Sequence, residues 1–187
     1  MTIQDYLRKS AAILEATVDT VAMARVDQAV AVIAVALGAR KSLLVCGNGG
    51  SASDAMHIAG EMVGRFLKER AAQKCIALSS NPAVLTAWAN DYNYETVFSR
   101  QVEAYGEAGG VLWGLSTSGN SANVIAALVQ AKKMGMTTIG LTGQGGGKMA
   151  GSCDILIDVP SKVTPLIQQV HICLYHYICE KVEEHLS

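Results

Sequence analysis

The sequence has 187 residues and a net charge of −1; half of its residues are apolar and only 5% are aromatic. This length is sufficient for one domain with a full hydrophobic core. The small net charge gives no electrostatic basis for binding nucleic acid or an anionic membrane surface. The N-terminus lacks the pattern of a signal peptide, and no apolar run approaches the ~20 residues of a membrane span, so we expect no membrane partner.

The first part of the chain, residues 1–40, has helical periodicity. One apolar stripe comprises Tyr6, Leu7, Ala11, Leu14 and Val18, and a second comprises Val30, Ile33, Ala34 and Leu37. Asp27 is the predicted N-cap of the second helix, which Gly38 is predicted to end. Both helices are candidates for contacts between subunits.

From Ser42 onward, predicted strands alternate with predicted helices. The strands are 42–46, 75–79, 111–115, 137–141 and 155–159; the helices are 52–67, 82–90, 94–106 and 121–134. This alternation is typical of an α/β fold with a parallel sheet covered on both faces. We find no internal boundary, so residues 1–187 are predicted to form a single domain.

A last helix is predicted over 165–185, with Thr164 as its N-cap and Pro165 in its first turn. It is apolar nearly all round, and such a helix must be buried on more than one side. This helix and the N-terminal helices together exceed what one small sheet needs for cover. We therefore expect oligomerisation through helices.

The five cysteines are odd in number, include no Cys-x-x-Cys pair, and each lies within or beside an apolar segment. They are typical of reduced, mostly buried thiols, which predicts a cytoplasmic protein.

A glycine turn follows the first predicted strand. The apolar run ends at Gly47-Asn48-Gly49-Gly50, and a helix start, Ser51-Ala52-Ser53-Asp54, comes next. Glycines let the backbone approach a phosphate, and the free N–H groups of a helix's first turn point toward it. The turn matches neither a P-loop nor Gly-x-Gly-x-x-Gly. A tight connection that binds no ligand is the alternative interpretation.

A second polar turn follows the strand 111–115. Its sequence, Ser116-Thr117-Ser118-Gly119-Asn120-Ser121, places four hydroxyls in six residues. Hydroxyls and backbone N–H groups bind a phosphate monoester without a metal. A helix cap at Ser121 is the alternative, but one cap does not need four hydroxyls. Because ligands bind at the carboxyl ends of α/β strands, we favour phosphate binding.

Three further sets of polar residues are candidates for chemistry. His57 and Glu61 lie four residues apart on one predicted helix face, as a solvated pair or as part of a site. Gln168 and His176 lie about 80° apart around the last helix, so both can reach one cavity. These four residues offer donors suited to zinc, although a buried histidine is more often a core residue. Asn90-Asp91 either forms a turn or binds sugar hydroxyls.

These motifs, in this order and spacing, resemble the phosphoheptose isomerases of the sugar-isomerase (SIS) domain family. The resemblance runs from about residue 3 onward and includes Phe98-Ser99-Arg100-Gln101-Val102-Glu103-Ala104 and Ile167-Gln168-Gln169-Val170-His171. It implies a five-stranded parallel sheet of the flavodoxin-like, doubly wound type with an N-terminal helical extension. It also implies a homotetramer with active sites between subunits and one zinc ion per chain.

The resemblance implies conversion of D-sedoheptulose 7-phosphate to D-glycero-D-manno-heptose 7-phosphate, the first step of bacterial ADP-heptose synthesis. Such an isomerisation passes through an enediol(ate) and needs an acid, a base and stabilisation of an oxyanion. The implied acid–base pair is Glu61 and His176, and the implied metal ligands are His57, Glu61, Gln168 and His176. The implied substrate-binding residues are Asn48, Gly49, Gly50, Ser51, Glu61, Asn90, Asp91, Ser116, Thr117, Ser118, Ser121 and Gln168.

Two other functions are compatible with an SIS domain. One is a non-catalytic tetramer of the DnaA initiator-associating type, and the other is a phosphosugar-binding regulator. Retention of Glu61 and His176 favours the enzyme over the first. The second would normally carry a DNA-binding domain, for which 187 residues leave no room.

Overall fold

A computed structural model describes residues 1–20 and 22–187. The helices are α1 (Ile3–Val18), α2 (Ala22–Gly38), α3 (Gly50–Val63), α4 (Pro82–Asp91), α5 (Val97–Tyr105), α6 (Ala122–Lys133) and α7 (Thr164–Leu186). The strands are β1 (Leu43–Gly47), β2 (Cys75–Ala77), β3 (Val111–Ser116), β4 (Thr137–Thr142) and β5 (Ile155–Asp158). Two short 3-10 helices cover Tyr94–Thr96 and Gly147–Ser152.

The five strands form one parallel sheet in the order β2-β1-β3-β4-β5. The chain adds strands first toward one edge and then toward the other, so the order reverses between β1 and β3. In open α/β sheets, ligands bind outside the carboxyl ends of the strands at such a reversal. The predicted α/β, doubly wound architecture is therefore confirmed, and the two polar turns follow the two strands at the reversal.

Side chains along each strand point alternately to the two faces of the sheet, and helices bury both faces. In β1, Leu43 and Val45 pack with α2, α3 and α7, whereas Leu44 and Cys46 pack with α5 and α6. Trp113 of β3 is fully buried. This two-sided core fixes the positions of the strand ends.

Two predicted helix boundaries are wrong: the start of α2 and the end of α3. Helix α2 begins at Ala22, so Asp27 lies inside it; Ala22 and Val26 are buried against the core and extend the apolar face upstream. Helix α3 ends at Val63 instead of residue 67. The backbone N–H groups of Phe66, Leu67 and Lys68 donate to the Glu183 side chain of α7 and not to carbonyls of α3, so the helix does not continue.

Two predicted helix starts also differ. The predicted helix 94–106 is a 3-10 turn followed by α5, because the Asn93 side chain accepts from the Thr96 N–H and tightens the first turn. Thr164 is the first residue of α7 and not its cap. Val163 occupies the cap position, held by a hydrogen bond from its N–H to the Ser161 hydroxyl.

Among the described residues, no single helix is long and apolar enough to cross a membrane; only α1 and α2 taken together, with a 75° bend, have the necessary length and composition. Three of the five cysteines are buried, while Cys153 is half-buried and Cys173 is exposed.

Candidate active site

A cavity of about 340 Å³ lies at the carboxyl ends of β1 and β3. Three segments form its walls: the glycine turn into α3, the hydroxyl-rich turn after β3 and the first turns of α7. The lining residues are Asn48, Gly49, Gly50, Ser51, Leu115, Ser116, Thr117, Ser118, Ser121, Thr164 and Gln168. The two turns that the sequence singled out therefore meet in one space.

The hydroxyl-rich turn presents a connected cluster of serines. The Ser116 hydroxyl lies 2.9 Å from that of Ser121 and 3.4 Å from that of Ser118. Ser121 occupies the N-cap position of α6, but its side chain makes no capping hydrogen bond. The predicted cap is thus confirmed as the N-cap position, but the hydroxyl does not make the capping hydrogen bond. Serine hydroxyls can donate as well as accept, so this cluster can turn toward an anion.

The turn after β1 is held by an amide pair that sequence reasoning missed. Asn48 and Asn123 each donate a side-chain N–H to the other's carbonyl oxygen, at 2.8 Å in both directions. The Tyr94 hydroxyl donates to the same Asn48 oxygen at 3.1 Å. These bonds orient Asn48 and join the two polar turns. A polar Asn123 among the apolar residues of α6 was the available signal.

Gly50 lets α7 approach the start of α3 closely. A Cβ at position 50 would overlap the side-chain amide of Gln168. The absence of a side chain at Gly50 therefore allows Gln168 to reach the cavity.

A second polar group lies farther along the same two helices. His57 and Glu61 of α3 and His176 of α7 place one ligand atom each within 4.8 Å of one another. The His57 Nε2 is 2.9 Å from a Glu61 carboxylate oxygen, and the His57 and His176 ring centroids are 5.0 Å apart. The predicted meeting of α3 and α7 residues is thus observed for these three side chains.

The electrostatics of this cluster favour a neutral His176. Burial, followed by the nearby His57, lowers the pKa of His176, and the charge of Glu61 opposes this shift only in part. The Phe66 ring stacks on His176, with centroids 5.5 Å apart and planes 25° apart. A neutral imidazole can act as a base or as a metal ligand near neutral pH.

Tyr175 and Asp54, both missed from the sequence, support the cluster from the protein interior. The Tyr175 hydroxyl lies 2.9 Å from His57 Nδ1. Burial, and then the charge of Asp54, raise the pKa of Tyr175. Burial also raises the pKa of Asp54 against opposing effects of His57 and the Tyr175 hydroxyl. Tyr175 adjoins His176 in sequence and Asp54 belongs to the predicted helix start, but neither position carries a signal of this role.

Known proteins share the sequence pattern and the fold of this chain. A family model described as SIS domain matches residues 5–143. A phosphoheptose isomerase of Crocosphaera subtropica is 51% identical over 160 residues, covering 86% of this chain and 82% of the relative. The solved phosphoheptose isomerase of Neisseria gonorrhoeae has 39% identity and a TM-score of 0.91, with 97% of each chain covered. That of Francisella tularensis has 31% identity and a TM-score of 0.93, covering 98% of this chain and all of the other.

The chain belongs to the phosphoheptose isomerase family. The resemblance inferred from the sequence motifs is thereby confirmed, and with it the SIS fold. The alternatives, an initiator-associating protein or a regulator, are not favoured by these relatives.

One predicted pair lies apart from the cavity of this phosphoheptose isomerase fold. Asn90 and Asp91 are exposed at the end of α4, where the Asn90 amide donates to the Asp91 carboxylate at 2.9 Å. Asp91 lines a different surface cavity, together with Trp88 and Arg100. Their role in binding sugar hydroxyls remains a prediction.

Proposed function

We propose that the protein is an aldose–ketose isomerase that converts D-sedoheptulose 7-phosphate to D-glycero-D-manno-heptose 7-phosphate. The observation that carries this proposal is the shared scaffold of the two polar sites. Helices α3 and α7 line the serine-rich cavity with their first turns and carry His57, Glu61 and His176 farther along. A candidate anion site is thus joined to a candidate acid–base site by two rigid elements.

The spacing along the helices suits a long sugar phosphate. From Ser51 to His57, and from Gln168 to His176, the helix rise is about 9 Å and about 12 Å respectively. In an extended seven-carbon 7-phosphate, eight bonds of about 1.5 Å separate phosphorus from C1 and span roughly 10 Å. A phosphate held by Ser116, Ser118 and Ser121 would therefore leave C1 and C2 near the histidine cluster.

The proposed phosphate contacts use groups that line the cavity. The hydroxyls of Ser116, Thr117, Ser118 and Ser121 would donate to the phosphate oxygens, and the backbone N–H groups of the α3 first turn, including that of Ser51, would add to them. By the family resemblance, Asn48, Gly49 and Gly50 would also contact the substrate. Asn90 and Asp91 would bind its hydroxyls.

Isomerisation moves one proton between C1 and C2 while the two oxygens exchange carbonyl and hydroxyl character. We assign Glu61 and His176 as the acid–base pair, because one can remove the carbon-bound proton while the other serves the oxygen. Their polar atoms lie within 4.8 Å of each other, which fits two adjacent carbons. The lowered pKa of His176 keeps its imidazole neutral, so that it can accept a proton.

The donor set of the cluster also fits zinc. Two imidazole nitrogens and a carboxylate oxygen within 4.8 Å are ligands that a borderline divalent cation accepts. The family resemblance makes Gln168 the fourth ligand, although its side chain lies at the cavity end of α7, against Gly50, in this structure. When bound, the ion would stabilise the oxyanion that develops on the substrate. We propose one zinc ion per chain.

We further propose a cytoplasmic homotetramer with active sites at the subunit interfaces. The support comes from α1, where Ile3, Leu7 and Val18 are more than half exposed and Thr17 is the one buried residue. Such an exposed apolar stripe requires cover. The N-terminal segment 1–40 would supply it between subunits of this single domain. Light scattering should give a mass four times that of one 19.7 kDa chain.

The decisive experiment incubates purified protein with sedoheptulose 7-phosphate and follows the sugar by NMR. Appearance of the aldose 7-phosphate, with solvent deuterium at its C2 when the reaction is run in D2O, is the expected result. Unphosphorylated sedoheptulose is the matched control substrate and should turn over poorly. A protein that binds the phosphosugar without converting it, with or without zinc, would be a binding protein instead.

A further inference from the structure

The Tyr175 hydroxyl is hydrogen-bonded to Nδ1 of His57, the ring nitrogen on the side of the protein interior. Tyr175 is 1% exposed, and its oxygen lies 2.9 Å from His57 Nδ1. On the other side of the same ring, His57 Nε2 lies 2.9 Å from Glu61. The two rings meet edge to face, with centroids 5.5 Å apart. Tyr175 therefore fixes the orientation of the imidazole and bonds one of its two nitrogens.

A neutral His57 carries one ring proton, and the Tyr175 hydroxyl can bond either form of the ring because a hydroxyl both donates and accepts. With the proton on Nε2, that nitrogen donates to Glu61 and Tyr175 donates to Nδ1.

A cation at Nε2 would reverse the arrangement. The single ring proton of neutral His57 must then lie on Nδ1, from which it donates to the Tyr175 oxygen. The two side chains carry the same number of protons in both states, since the ring proton only moves from Nε2 to Nδ1.

We propose that Tyr175 is a positioning residue whose hydroxyl bonds Nδ1 of His57 and so makes Nε2 the metal-binding nitrogen. This inference rests on the proposed metal site. Metal-bound histidines commonly donate their second N–H to such a partner, and loss of the partner weakens metal binding about 10- to 100-fold.

The test compares Tyr175→Phe with wild type and with Tyr177→Phe as a matched control. Tyr177 lies on the same helix but is 43% exposed, and its hydroxyl is not bonded to the cluster. Two readouts are used: ¹⁵N shifts of the histidine rings in metal-free protein, and zinc affinity by competition with a chelator. We expect Tyr175→Phe to lose the fixed Nε2–H tautomer of His57 and to bind zinc about 10- to 100-fold more weakly. Tyr177→Phe should match wild type in both.

Unchanged histidine shifts in Tyr175→Phe would overturn the positioning role, and so would a zinc affinity equal to that of the wild type. If wild-type protein binds no zinc, the metal proposal fails and so does this assignment of Nε2. The histidine shifts would then report only on the hydrogen bond itself.

Discussion

Arg70 and Glu183 form an ion pair in which both side chains are almost completely buried, with 2% and 1% exposed. The Glu183 carboxylate also accepts the backbone N–H groups of Phe66, Leu67 and Lys68, at 2.6 to 2.9 Å. Helix α7 thus holds the segment that follows α3, and this segment places Phe66 on His176. The ion pair connects the stability of the fold to the environment of the candidate base.

Glu183→Gln should destabilise the protein by about 3–5 kcal/mol, because removing one member leaves the buried charge of Arg70 unpaired. The measurement is urea unfolding followed by circular dichroism at one fixed chain concentration. Glu184→Gln is the matched control, since Glu184 is exposed and pairs only with Lys181 on the surface. A free energy of unfolding equal in the two variants would contradict this reading.

The same carboxylate predicts a dependence of stability on pH. Burial raises the pKa of Glu183, but the three N–H groups and Arg70 outweigh burial and leave its pKa lowered. A carboxyl with a lowered folded pKa stabilises the protein above its unfolded pKa of about 4.3 and loses that contribution as the pH falls through the folded value. Wild type should therefore lose stability below about pH 4.3, and the difference from Glu183→Gln should shrink in the same range.

Glu61→Gln tests the acid–base assignment. The amide keeps the size of the side chain but cannot accept a proton from carbon, so turnover should fall at least ~100-fold. NMR of the sugar measures turnover, and light scattering checks that the assembly is retained. Glu69→Gln, an exposed position in the next segment, is the control. Near-normal turnover in Glu61→Gln would mean that another residue is the base.

Ser118→Ala tests the phosphate cavity. A hydrogen bond to a charged group contributes about 1.5–3 kcal/mol, so KM for the phosphosugar should rise about 10-fold or more. Inorganic phosphate and sulfate should compete weakly with the substrate. Ser99→Ala removes a hydroxyl from α5, outside the cavity, and should leave KM unchanged. Equal affinity of the wild type for phosphorylated and unphosphorylated sugar, measured by calorimetry, would overturn the assignment.

Removal of metal should lower the melting temperature. His57 and Glu61 lie on α3 whereas His176 lies on α7, so an ion joining them would stabilise the folded state by mass action. We expect a chelator to lower Tm and added zinc to restore it. His176→Ala should lose the metal and the activity but remain folded, because α7 keeps its apolar packing. Metal analysis that finds no zinc in active protein, even after zinc is supplied, would refute the metal site.

The sequence predicted the parts of the site that depend on local pattern. Apolar runs ending in Gly47 and Ser116 located two strand ends, and the spacing of His57 and Glu61 placed both on one face of α3. Their meeting with His176 followed from the family resemblance. Local pattern gave the elements, and the parallel order of the strands brought their ends together.

What the sequence could not predict depends on partners distant along the chain. In the sequence, Tyr175 is one more residue of the apolar last helix, and only the structure shows that its hydroxyl is hydrogen-bonded to His57. Helix α3 was predicted to continue past Val63, because nothing local indicates that Glu183, more than a hundred residues later, takes the next N–H groups. Asn123 likewise gained its meaning only from Asn48.

The contact between Gly50 and Gln168 also bears on the order of folding. The two residues are 118 positions apart in sequence, and contacts between such distant segments form late because a long loop must close first. During synthesis, α3 leaves the ribosome well before α7, so the cavity and the histidine cluster cannot exist until the sheet is in place. We therefore expect a refolding chain to recover its helical content before it binds phosphate.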